Sequence, residues 1–379
     1  LYGRVENILP DPPYAVWLEI NLAHVEQNVR AVRSFTHADV MAVVKANAYG
    51  YGAEEVARAA VRAGAAWLGV ARLDEAIRLR TAGLEDPILV LGMVPTLQVD
   101  AAIANDVSLT LPGFEAAEVF SQRASVLGKT LKVHIKVDTG MGRIGVLPDR
   151  TPDLADFVLS KKGLLLDGLF SHLANADRLH DPLTGVQIDR FNQVLQKLSE
   201  KGIRPRWIHL ANSAAALSIP ESHFNMVRIG QALVGHNPFS YRALPGCIKP
   251  ILHAWKARLV ECLSLSKTSF SGYDGIDPGV EECIGIVSAG YGDGLWRLPG
   301  NEVLIEGSRI RVLGEIGMDA LNVHLPRRYP PGTHVVLIGT QESQSISIED
   351  LARLYSTGPG KITAIIPERV TRVYVWWEE

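Results

Sequence analysis

A chain of 379 residues with 47% hydrophobic and 21% charged side chains has the composition of an ordinary globular protein, with room for two domains or one large barrel and an addition. A formal net charge of −3 argues against nucleic acid or an anionic membrane as partner, and no apolar run approaches the length of a bilayer-spanning helix. Cys247, Cys262 and Cys283 are too widely spaced for a disulfide framework or a zinc signature, so they read as free thiols of a reducing compartment.

The opening residues 1–14 are polar and proline-bearing, unlike a signal peptide, and read as an irregular arm. The chain begins at Leu1 and not at methionine, so a cytoplasmic location is an expectation only. A short strand is expected over 16–20, and Asn21 is placed to cap a helix starting at Leu22. Strand-like runs follow at 40–44, 67–70, 88–91, 107–110, 131–137, 164–171, 207–210 and 225–229. Amphipathic stretches such as 54–63, 74–82 and 188–201 separate them. Strands alternating with helices predict a parallel sheet, and their number and spacing predict a TIM (β/α)8 barrel over residues 15–240. A doubly wound open sheet is the competitor, but no Gly-x-Gly-x-x-Gly turn follows the first strand.

Beyond Gly235 the prolines Pro238, Pro245 and Pro250 mark a change of character. Short glycine-punctuated β runs follow at 257–263, 283–288, 302–305, 310–312, 334–338 and 370–376, with one helical stretch near 348–355. This predicts a separate, mainly antiparallel β domain over residues 241–379.

The chemistry gathers where barrel strands end. Lys45 follows the apolar run 40–44, at the strand end that carries chemistry in a parallel barrel. Burial there lowers a lysine pKa, and a neutral amine can form a Schiff base with an aldehyde. Gly50 and Gly52 permit a tight turn close to a ligand. A lysine that merely snorkels to solvent is the simpler alternative. Later strand ends add Lys136 and Arg143, Ser171-His172, His209 with Asn212-Ser213, and Arg228-Ile229-Gly230. Backbone N–H groups near Ser213 and Gly230 are placed to hold a phosphate. Singly, His172 reads equally as a core histidine and Asn212-Ser213 as a helix cap; their common placement argues for a site.

As a set, the run Ala42 to Gly52 and the motifs HIKVDTGMGRIG (134–145), SHLANAD (171–177), HLANSAA (209–215), MVRIGQALVG (226–235), GYGDGL (290–295) and GEIGMD (314–319) resemble the alanine racemase family over nearly the whole chain. The resemblance implies a pyridoxal 5′-phosphate (PLP)-dependent amino-acid racemase that supplies D-alanine for peptidoglycan. It also implies a homodimer whose active sites are shared between subunits. Carried over, Lys45 holds PLP and is the base on the D-side of the substrate α-carbon. Tyr273, from the partner subunit, is the base on the L-side. Two bases on opposite faces are what racemisation asks for, and cationic His172 and Arg228 would lower the tyrosine pKa. Arg228 matches the arginine facing the pyridine nitrogen. Tyr49, Ser213, Gly230 and Gln231 match the phosphate cradle, beside Asn212. Arg143 matches the arginine near the PLP phenolic oxygen and the substrate carboxylate. Lys136 matches a lysine that many members carry as a carbamate. Met318 and Tyr291 match partner-subunit residues of the substrate pocket and its entrance; Asp177 and Arg297 match positions further out.

Three departures bear on specificity. The family's C-terminal tyrosine is Gly360 here, its entrance arginine is Glu315, and its Leu-Tyr-Gly after the eighth strand is Leu233-Val234-Gly235. A lost tyrosine ring removes a hydroxyl and bulk. The expected activity is alanine racemisation; the alternative is a serine, basic or broad-specificity racemase of the same family. A related PLP decarboxylase is disfavoured because none of the three cysteines sits in a Cys-Glu-Ser-Gly-Asp context. A PLP-binding barrel of cofactor homeostasis is disfavoured by the second domain.

Overall fold

The structure is a computed structural model that describes residues 11–265 and 282–377. Strand β1 (Val16–Asn21) is followed by β2 (Asp39–Val43), β3 (Trp67–Val70), β4 (Ile88–Val90), β5 (Ser108–Leu111), β6 (Leu131–Lys136), β7 (Leu164–Phe170), β8 (Trp207–His209) and β9 (Met226–Ile229). The runs expected from sequence at 40–44 through 225–229 are β2 to β9. They form one 8-stranded sheet in the order β8-β7-β6-β5-β4-β3-β2-β9, with every pairing parallel. The Arg228 N–H donates to Ala211 O at 3.1 Å, which brings β9 against the end of β8 and nearly closes the ring. Intervening helices such as Ala53–Arg62 and Leu73–Thr81 cover it. Inside, Met41, Val43, Trp67, Leu89 and Met226 pack together, a filled barrel rather than a pore. Every strand therefore presents its C-terminal end to one face.

The second sheet contains β10 (Leu252–Leu265), β11 (Glu282–Val287), β12 (Glu302–Ile305), β13 (Ser308–Leu313), β14 (Leu321–Leu325), β15 (His334–Gln341), β16 (Gln344–Ile346) and β17 (Thr371–Val375). Its order is β16-β15-β12-β13-β14-β11-β10-β1-β17. The long β10 also pairs with β15, closing β15-β12-β13-β14-β11-β10 into a ring. Its pairings are antiparallel except β1 with β17.

This corrects the expected barrel boundary at residue 15. Strand β1 lies between β10 and β17 in the β domain, and the barrel unit spans His24–Lys249. Asn21 does cap the next helix, accepting from the Ala23 N–H at 3.1 Å. No helix among the described residues is long and apolar enough to cross a membrane.

Candidate active site

The first site element is a turn of the wrong hand. After β2 the chain enters Ala46, Asn47, Ala48 and Tyr49, all with φ between 51° and 57°. A left-handed turn costs an L-residue roughly 1–2 kcal/mol, so its surroundings must hold it. The Gly50 N–H donates to Ala46 O at 2.9 Å, and Asn47 Oδ1 accepts from the Ala53 N–H at 2.8 Å. The Ala46 N–H donates to Glu75 Oε1 at 2.6 Å. Gly50 and Gly52 follow at φ 90° and 99°, the tight turn read from their sequence. Tyr49 is thereby brought over Gly230, where an added Cβ would meet the tyrosine hydroxyl at 2.1 Å. Burial pushes the Tyr49 phenol up to about 12, so it remains a donor at neutral pH.

Across the barrel mouth, Ser213 Oγ accepts from the Gly230 and Ala232 N–H groups at 3.0 and 3.1 Å. Asn212 caps the helix Ser213–Ser218 through the Ala215 N–H and donates to Leu173 O at 3.2 Å. The cap reading of Asn212 is thus realised, while the residue also lines the cleft.

Arg228, the third residue of β9, is buried, and both of its terminal nitrogens donate hydrogen bonds. It donates to the carbonyls of Ser171 (2.8 Å), His209 (2.9 Å) and Leu210 (3.1 Å). It also donates to Nδ1 of His209 at 3.0 Å and of His172 at 3.3 Å. A guanidinium has no acceptor, so both imidazoles must accept through Nδ1 and carry their proton on Nε2. His209 Nε2–H then donates to His134 Nδ1 at 2.9 Å. His134 in turn carries its proton on Nε2, which faces Asp167 Oδ2 at 3.8 Å. One arginine thereby sets the tautomers of a buried line of side chains reaching β7. Burial lowers Arg228 to about 9, which leaves it protonated at neutral pH.

Lys45, Lys136, Arg143 and Arg228 line one cleft of ≈ 590 Å³ with Tyr49, His172, Ser213, Gly230 and Gln231. Asp177 is the carboxylate in that lining. Burial, then the Arg143 charge, lowers the Lys45 ammonium below the usual lysine range. The same two causes bring Lys136 down to about 8. The loop carrying Arg143 is wound around Asp138, whose carboxylate accepts from the N–H groups of Gly140, Met141, Gly142 and Arg143 at 2.9–3.1 Å.

One reading is corrected. Burial, then the Arg228 charge, depresses His172 to about 3. It is therefore a neutral imidazole, and Arg228 is the cation of the pair. Tyr273 lies outside the described residues. Tyr291 and Met318 adjoin each other in the β domain, where the N–H groups of Tyr291 and Gly292 donate to Gly317 O and Met318 O at 2.9 Å. Both are solvent-exposed. Glu315 is exposed and Gly360 half-buried in the helix Pro359–Ala364. Glu75, Gln187, His134 and Asp167 were not singled out as site residues from sequence. Gln187 is fully buried and donates to His172 O and Thr139 Oγ1 at 3.0 and 3.3 Å.

Residues 20–238 match the profile of the alanine racemase N-terminal domain, and residues 252–374 that of the C-terminal domain. The alanine racemase of Symbiobacterium thermophilum is 39% identical over 365 residues, 94% of this chain and 96% of that one. That of Carboxydothermus hydrogenoformans is 38% identical, covering 95% and 99%. The crystal structure of alanine racemase from Bacillus anthracis with bound L-Ala-P superposes with a TM-score of 0.88 at 36% identity, covering 96% of each chain. The histidine racemase of Leuconostoc mesenteroides gives 0.88 at 27% identity, covering 96% and 99%. The chain belongs to the alanine racemase family.

Proposed function

We propose that this chain interconverts L- and D-alanine with PLP as cofactor, working as a homodimer that shares its active sites. The observation that carries the proposal is Lys45, whose amine is shifted toward its neutral form in a cleft rich in cations. The lining fits a phosphorylated aldehyde. Four cationic side chains face one carboxylate, and Tyr49, Ser213 and Gly230 crowd together at one end, where a Cβ on Gly230 would fill the space. When bound, PLP supplies an aldehyde for covalent attachment and an electron-withdrawing ring that acidifies the substrate α-C–H.

The chain's own residues divide the remaining work. Lys45 is the covalent anchor and, once displaced by substrate, the base on one face. Tyr273 of the second subunit is the base on the other. Arg143 pairs with the substrate carboxylate, in a loop held rigid by Asp138. Arg228 would face the pyridine nitrogen of bound PLP; as a cation that keeps its protons it would leave that nitrogen unprotonated and so moderate the electron sink, which limits side reactions. Tyr49, Ser213, Gly230 and Gln231 hold the phosphate, with Asn212 fixing the Ser213 turn. Lys136 near 8 has the neutral fraction that carbamate formation with carbon dioxide requires, and the resulting anion would sit beside Arg143. Tyr291 and Met318 act on the partner's substrate pocket.

The specificity alternative rests on Gly360 and Glu315, and a neighbour of the same fold is a histidine racemase. The test is chiral chromatography of L-alanine, serine, lysine, arginine and ornithine incubated with PLP-loaded protein. Alanine reaching a racemic mixture far ahead of the others supports the proposal. Serine or a basic amino acid racemising as fast assigns the broader activity instead.

A further inference from the structure

Glu75 was invisible as a site residue in the sequence, and its position gives it two roles. It lies in the first turn of the helix Leu73–Thr81, where Oε2 accepts from the N–H groups of Ala71 and Arg72 at 2.8 and 3.0 Å. That is an ordinary capping contact. Its second oxygen does something else. Oε1 leaves the helix and accepts from the N–H of Ala46, the residue after Lys45, at 2.6 Å. The carboxylate thereby staples the loop after β3 to the first residue of the left-handed turn after β2. The adjacent Arg72 side chain pairs with Asp74 at 2.7 Å.

We propose that Glu75 is a positioning residue for Lys45, fixing the backbone at the anchor lysine through the Ala46 N–H. The proposal rests on the reading of Lys45 as the PLP anchor. A left-handed turn of non-glycine residues persists only when its surroundings over-determine it. The Ala46 N–H is the turn's first donor, and Glu75 is its partner. Around the amine, Arg143 and Arg228 favour the neutral form, while Glu75 is the opposing negative charge. Lys136 and His172 also face this field; His172 is neutral, and Asp138 acts on Lys136.

The test compares wild type, Glu75→Gln and Glu75→Asp in the full-length chain. In cofactor-free protein, reductive methylation of Lys45 is followed against pH by peptide mass spectrometry. In a second series, PLP is added and its capture on Lys45 is timed by borohydride fixation. Glutamine keeps the length but loses the charge and one acceptor oxygen. Its labelling midpoint moves down by about half a pH unit, and PLP capture slows by about tenfold. Aspartate keeps the charge but not the reach, so the midpoint stays near wild type while capture remains slow. An unchanged midpoint and unchanged capture in Glu75→Gln, with only a lower melting temperature, would reduce Glu75 to a helix cap and overturn the proposal. Should Glu75→Gln fail to fold, a wild-type capture rate in Glu75→Asp overturns it equally. If wild-type protein takes up no PLP on Lys45, the anchor reading fails, and the labelling midpoint still decides the role of Glu75.

Discussion

At the scale of single residues, Arg228 organises more of the site than any neighbour. Its donations reach Ser171, His209 and Leu210 carbonyls and two imidazoles, and each is buried or nearly so. A lysine offers three donors at one point and cannot span that set. Arg228→Lys therefore strands buried acceptors, at about 1–3 kcal/mol each. The expected loss is roughly 2–4 kcal/mol in denaturant unfolding of the cofactor-free protein, with His209 freed to change tautomer in ¹⁵N NMR. Unchanged stability with the His209 proton still on Nε2 would contradict the account. Arg228 was legible as a strand-end residue. The neutral state of His172 was not, because it follows from burial and from Arg228's proximity, which no spacing encodes.

At the scale of elements, the legible part was what local pattern determines. The eight barrel strands are short apolar runs set between helical periodicities, and buried parallel strands read that way. Strand β1 shows where local pattern stops. Val16–Asn21 suits either sheet, and only its pairing with β10 and β17 decides. Strand β14 alternates in burial but is cut short by Pro326 and was passed over, while β16 has three residues and carries almost no signal. The turn at Ala46–Tyr49 is the clearest gap. Alanine and tyrosine do not choose the left-handed region on their own, so its cause lies in Glu75, Asn47 and the β3 loop. Gly168 on β7 is a quieter case, since a Cβ there would meet His134 Nδ1 at 2.2 Å. The glycine exists to admit the histidine line, which is visible only once β6 and β7 are side by side.

At the scale of the molecule, the barrel unit stores neutral histidines. Burial holds His172 at about 3 and His236 at about 4, and also lowers His134 and His209. An unfolded chain protonates each of these near pH 6.5. Below that pH the unfolded state binds protons that the folded state refuses, so stability falls as pH falls. Each such histidine contributes a slope of up to about 1.4 kcal/mol per pH unit, from pH 6.5 down to its folded value. Cofactor-free protein should therefore lose melting temperature steeply between pH 6.5 and 4, with little change between 7 and 8. A flat profile through pH 5 would contradict the neutral assignments. The motifs that announced the family lie at strand ends of both domains, so membership was legible from sequence. The tautomer line, the brace on Lys45 and the placement of β1 came only from the fold.

Lys45 as cofactor anchor and carrier of the α-proton of alanine is probed by incubating L-alanine in D₂O with PLP-loaded wild type and with Lys45→Ala. Chiral separation and mass spectrometry then follow both enantiomers. With Lys45 in both roles, the D-alanine formed carries deuterium at the α-carbon, and both product and label are lost in Lys45→Ala by a factor of about 10³ or more. Unlabelled, unconverted L-alanine from the wild type, or full activity in Lys45→Ala, would contradict it.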